Sequence, residues 1–171
     1  MRKTFTACAL ALGLMTGVAH AQDDITIDEL ETMSQGELDT TYLEAKAGPI
    51  PHGVSEGTAR FFPDSLLDGA TQQLAYFFWQ GKVFDAEDGY LINRVAGFRA
   101  VVAELYHGES LLDGEESVII DYSNTSILFG AVRDEIRQIS PTIYLGRAYV
   151  ATPLGYYMAV NFILEFDEPQ E

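Results

Sequence analysis

Two carboxylates lie in runs that would bury them. Asp121 interrupts the apolar stretch Val118-Ile119-Ile120 and precedes Tyr122, and Asp134 falls between Val132 and Ile136 if that stretch is extended. A carboxylate taken out of water must be hydrogen-bonded or paired. The nearest chemistry for it is an arginine, and Arg60, Arg94, Arg99, Arg133, Arg137 and Arg147 mostly fall inside strand-forming segments. Two readings follow. Internal ion pairs could fix strand register, or a polar cluster could face an interior and orient a ligand's head group. In the second setting Asp121 or Asp134 is also a candidate general acid or base, with an arginine or tyrosine stabilising negative charge.

Other chemistries lack their residues. The chain has no G-x-S-x-G, no P-loop and no dinucleotide fingerprint. Its single cysteine is Cys8, which leaves no thiol site, cysteine-rich zinc site or disulfide framework. Beyond residue 21 the histidines are His52 and His107, isolated and without metal-ligand spacing, so neither a metal nor a cofactor is expected. Aromatics are abundant instead, with Tyr76, Phe77, Phe78, Trp79, Phe84, Tyr90, Phe98, Tyr106, Tyr144, Tyr149, Tyr156, Tyr157 and Phe162 in or beside sheet elements. A buried tyrosine hydroxyl needs a partner, and an interior cavity can supply one.

Charge and export narrow the partners. Arg2 and Lys3, the apolar run Ala7 to Val18 and the small residues Ala19-His20-Ala21 make a secretory signal peptide cut after Ala21, with a periplasmic or secreted product. Of 10 basic residues it removes two, leaving 8 against 26 carboxylates and a net charge of −18. Such a surface repels phosphate backbones and anionic lipid, so no nucleic-acid partner is expected. Beyond the signal the longest apolar run is Leu74 to Trp79, too short to insert stably in a membrane. Oligomeric state is not legible.

The elements that must position these side chains follow from periodicity and turn chemistry. An acidic arm, residues 22–50, carries a short helix over 35–46 with Asp28 and Ser34 as candidate caps, stopped by Gly48-Pro49-Ile50-Pro51. A single β-rich domain covers 51–166, followed by an acidic tail at 167–171. Within it, strands are expected near 58–62, 82–86, 90–96, 98–107, 116–122, 142–150 and 156–166, with a helix over 64–79. Asp88-Gly89 is a hairpin signal, and 156–166 alternates most cleanly. Residues 125–139 read either way. Ile127, Leu128, Ala131, Val132, Ile136 and Ile139 make a helical stripe, which keeps an α+β alternative open. Short strands with hairpin links predict a mainly antiparallel sheet curling toward a barrel.

Several segments resemble a family of uncharacterised bacterial proteins. Gly57-Thr58-Ala59-Arg60-Phe61-Phe62-Pro63, Leu67-Asp68-Gly69 and Trp79-Gln80-Gly81-Lys82-Val83-Phe84 are similar to its G-x-W-x-G-type strand and W-x-G-K-x-F segment, with Ala59 at the first tryptophan's place. Val132-Arg133-Asp134-Glu135-Ile136-Arg137, Tyr144-Leu145-Gly146 and Phe162-Ile163-Leu164-Glu165-Phe166 resemble its second half. The resemblance covers about residues 53–166. It implies a lipocalin-like (calycin) β-barrel and a strand over 131–139. It carries Gly57, Trp79, Gly81, Lys82, Phe84, Asp134, Arg137 and Gly146 as motif positions, and it implies no reaction.

The expectation is an exported barrel that binds a small apolar or amphipathic molecule. Trp79, Tyr144 and Phe162 supply wall surface, and Lys82, Arg94, Asp121 and Arg137 supply polar contacts. A metal-independent isomerase, cyclase or hydrolase built on Asp121 or Asp134 is the catalytic alternative, and the balance leans away from an enzyme. A third option is a module that docks a basic partner through its acidic arm.

Overall fold

The computed structural model describes residues 25–61 and 79–171. The signal peptide expected over 1–21 and all but the last residue of the helix expected over 64–79 therefore lie outside the described residues. Trp79 itself opens a strand.

Eight strands follow one another round a closed antiparallel barrel. They are β1 (Gly53–Phe61), β2 (Trp79–Asp85), β3 (Tyr90–Val95), β4 (Phe98–Glu109), β5 (Glu116–Asp121), β6 (Val132–Ser140), β7 (Ile143–Thr152) and β8 (Gly155–Phe166). Each pairs with its chain neighbour, and β8 returns to β1 in register from Ser55 opposite Phe166 to Phe61 opposite Val160. On the β2 side, β1 pairs through Gly53 and Val54, opposite Phe84 and Val83, which closes the ring. The fold is thus mainly β, as expected.

The ambiguous stretch resolves as strand. Val132–Ser140 pairs with β5 on one side and β7 on the other, and residues 123–131 form turns, so the helical alternative for 125–139 does not hold. The helical stripe mixed residues from a loop with residues from both faces of one strand. Backbone pairing on two sides outweighs that coincidence.

Period-two alternation produces two cores. Inward-facing Phe84, Leu91, Ala103, Leu105, Val118, Ile120, Ile136, Tyr144, Ala148, Phe162, Leu164 and Phe166 fill the barrel. The opposite face of β6–β8 presents Ile139, Ile143, Leu145 and Ile163, which pack under Leu30, Leu38 and Tyr42 of two helices. Helix α1 (Ile27–Thr32) is capped by Thr26 and helix α2 (Gln35–Glu44) by Ser34, each in a reciprocal capping box with Glu29 or Glu37. Ser34 is the expected cap, whereas Asp28 lies inside the first turn of α1 and caps nothing. The acidic arm is consequently seated on the barrel wall.

One end of the barrel is closed by the chain itself. The segment after α2 bridges Lys46 to Gln138 and lays Ile50 against the interior core. The Tyr144 hydroxyl donates to Pro49 O (2.9 Å), and the His107 ring meets Gly48 O (2.9 Å). The other end carries the hairpin and loop residues Phe98, Ile127, Leu128 and Leu154, all strongly exposed.

Candidate functional site

The polar centre of the interior forms because four strands alternate in phase. On β2, Lys82 shares the inward face with Phe84, and on β3, Asn93 shares it with Leu91. Tyr122 follows Ile120 by two residues just past the end of β5, and Asp134 sits between inward Val132 and Ile136 on β6. All four side chains meet. The Lys82 ammonium donates to Asn93 Oδ1 (2.8 Å), Tyr122 Oη (2.8 Å) and Asp134 Oδ2 (2.9 Å). Tyr122 Oη also lies 3.1 Å from Asp134 Oδ2 and accepts from Asn93 Nδ2 at 3.0 Å.

Two irregularities complete the cluster. Strict alternation would put Trp79 on the face opposite Lys82, but the β2–β3 register shifts between Trp79 and Gly81 and turns the indole inward. Its Nε1–H then reaches Asn93 Oδ1 (3.2 Å), and its ring meets Phe162 edge-on with centroids 5.7 Å apart. Gly81 permits the kink. It has φ +112°, and a Cβ there would lie 2.2 Å from the Ser55 carbonyl oxygen. The second irregularity is a shift between Ile92 and Asn93 against β4. There Val101 adopts φ 63°, an uncommon conformation for a β-branched residue, and its carbonyl is held by Asn93 Nδ2 at 3.0 Å.

The electrostatics are those of a compensated charge. Burial alone pulls the Lys82 ammonium toward neutrality, but the charge of Asp134 and the contacts with Tyr122 overcome it and leave its pKa above the ordinary 10.5. Burial pushes the Tyr122 hydroxyl up to about 12, with the Asp134 charge adding and Lys82 partly offsetting. The rings of Trp79, Tyr122 and Phe162 stand 5.5, 5.5 and 5.3 Å from the ammonium, so aromatic faces supply part of its solvation. Proton transfer from an interior carboxylate would require one without a neutralising neighbour, and Asp134 has Lys82 at 2.9 Å.

The expected site residues divide. Trp79, Lys82, Phe162 and the acid/base candidate Asp134 come together at this centre. Tyr144 shares the interior but lies toward the closed end, against Phe166 (centroids 5.8 Å apart). Arg94, Asp121 and Arg137 face outward. Arg94 pairs with Glu56 at 2.9 Å. Asp121 lies opposite Arg133 and accepts from Tyr106 (3.1 Å) and the Ser123 N–H (2.8 Å). Burial would raise its pKa, but the Ser123 and Tyr106 hydrogen bonds hold it below the usual value.

Arg137 is buried beneath α2, gripping Asp113 with two bonds (2.8 and 2.7 Å) and bonded to Ser117 and the Tyr42 carbonyl. The ion-pair reading of the strand arginines therefore applies on the outer wall, while the interior uses a lysine. Asn93 and Tyr122 were not singled out from the sequence. Their signal was present, since each stands two residues from an apolar inward neighbour.

Among the described residues no group of three or more histidine, cysteine or carboxylate side chains is placed to hold a metal ion. No family model and no curated protein matches the chain. Among solved structures, a crystal structure of a protein from Thermomonospora curvata superposes with a TM-score of 0.53 at 14% identity, covering 80% of this chain and 89% of that one. At that identity the likeness shows a shared barrel fold.

Proposed function

We propose that the barrel is an exported carrier for a small amphipathic molecule, lodged with its apolar body against Trp79, Phe162, Val132 and Val160 and its polar group at the Lys82–Asp134 centre. One observation carries this reading: an ionised pair with two further polar side chains is set into an interior that is otherwise apolar. Replacing a buried ion pair by well-packed apolar groups is often neutral or stabilising, so packing alone gives no reason for it. A few convergent polar groups set among apolar side chains are what orient a guest. The centre lies toward the end that carries the exposed apolar side chains of Phe98, Ile127, Leu128 and Leu154, surface that suits an apolar entrant. Export rests on the signal sequence at residues 1–21.

Trp79 makes the test direct, because it is the chain's one tryptophan and lies in the site. Delipidated protein is titrated with lipids, sterols and pigments while indole emission and melting temperature are followed. A saturable change in emission accompanied by a higher melting temperature is expected for at least one class. Unchanged emission and melting across the panel would overturn the carrier reading.

A further inference from the structure

The polar centre can be counted donor by donor, and the count selects the ligand's chemistry. Lys82 and the Trp79 indole can only donate, and both point at Asn93 Oδ1, which fixes the orientation of that amide. Asn93 Nδ2 then spends its two hydrogens on the Val101 carbonyl and Tyr122 Oη. Tyr122 Oη accepts from Lys82 and Asn93, so its own proton goes to Asp134 Oδ2, the nearer of its two acceptors at 3.1 Å against 3.5 Å for Asn93 Oδ1. The three Lys82 hydrogens are taken by Asn93, Tyr122 and Asp134. Every donor of the described residues in the centre is occupied.

One acceptor is not. Asp134 Oδ1 receives no hydrogen bond from any described residue. It is also not sealed in: among the described residues the buried polar atom without a partner is Asn161 Oδ1, on the outer wall, whereas the Asp134 side chain keeps 7% of its surface. We infer that the guest presents a hydrogen-bond donor, a hydroxyl or an amine, to Asp134 Oδ1, and that apolar carboxylates are rejected.

Among the described residues of the centre a carboxylate head would find no free N–H or O–H, and it would face the Asp134 charge. The strongly acidic surface adds the same bias at a distance. A hydroxyl or ammonium instead gains a charge-assisted bond in low-dielectric, apolar surroundings. The presence of a lysine in a barrel would by itself suggest an anionic guest, but its saturation by three internal acceptors argues the reverse.

This inference rests on the carrier reading, and matched probes separate the two. Delipidated protein is titrated with decanol, decylamine and decanoate, and with the tetradecyl members of the same series, by Trp79 emission and calorimetry. The alcohol and the amine are expected to bind at least about tenfold more tightly than the carboxylate of equal chain length. Comparison of the two binders tells whether the donor is a hydroxyl or a cation.

A Lys82→Met, Asp134→Leu double variant, which removes both charges together, is expected to bind all three head groups alike. Equal or tighter binding of the carboxylates by the unmodified protein would overturn the donor rule while leaving the carrier standing. Binding of none of the probes would overturn both.

Discussion

Lys82 is buried, and its charge is held by Asp134, Asn93 and Tyr122. Its removal alone strands a carboxylate in an apolar interior. Lys82→Met is therefore expected to lower the unfolding free energy by about 3–5 kcal/mol, the range for breaking one side of a buried pair. Adding Asp134→Leu should recover most of that loss, because the desolvation cost then disappears with the charge. Urea denaturation of the two variants checks this, and a double variant no more stable than the single one would show that the pair is not what Lys82 contributes. Arg137 differs in kind. It sits between β6 and α2, and its hydrogen bonds hold the Asp113 carboxyl below the usual range, tying the β4–β5 turn to the wall.

The helices show how elements of low intrinsic stability are retained. Helix α2 has ten residues, shorter than an isolated helix needs in water, so it is held by its contacts. Ser34 supplies a capping box, while Leu38 and Tyr42 are fully buried against β6–β8. Tyr42 also shares a hydrogen bond with Ser117 (3.0 Å), and its ring lies 4.6 Å from the Arg137 guanidinium. Ser34→Ala is expected to cost about 1 kcal/mol, and Leu38→Ala about 2–5 kcal/mol. Denaturant midpoints of the two variants test the order. If the capping variant were the worse, packing against the wall would not be what retains the helix.

Across the whole molecule, the buried phenols and the interior ammonium share one pH dependence. Tyr42 and Tyr122 are pushed up to about 12, Tyr144 is raised as well, in each case chiefly by burial, and Lys82 is held above 10.5. The folded pKa values exceed the unfolded ones, so this stability is complete below the unfolded pKa and lost as pH rises through the folded pKa. In the unfolded chain the phenols release protons near 10, and the native state keeps them to higher pH. Stability is thus expected to be level to about pH 10 and to fall from there to about pH 12. Tyr122→Phe should remove a share on the order of 2 kcal/mol of the alkaline loss. Unfolding free energies measured across that range, beside spectroscopic titration of the tyrosines, provide the check. A stability independent of pH above 10 would contradict it.

Much of this was written in local pattern. Alternation marked seven strands, Asp88-Gly89 marked a hairpin, and Ser34 marked the start of α2. Those signals depend on neighbours along the chain, so the chain alone determined them. Asp134 and Lys82 were also visible, one as a carboxylate in an apolar run and the other through a resemblance. Only the tertiary structure decided which polar residues share the interior. A strand's pattern states that two faces differ without saying which is inside, and bulges at Trp79 and Val101 change the facing partway along. Asp121 and Arg137 fell outside and Tyr122 and Asn93 inside for that reason. Residues far apart in sequence meet at Lys82 because closing eight strands into a ring sets their phase, and no single strand encodes it.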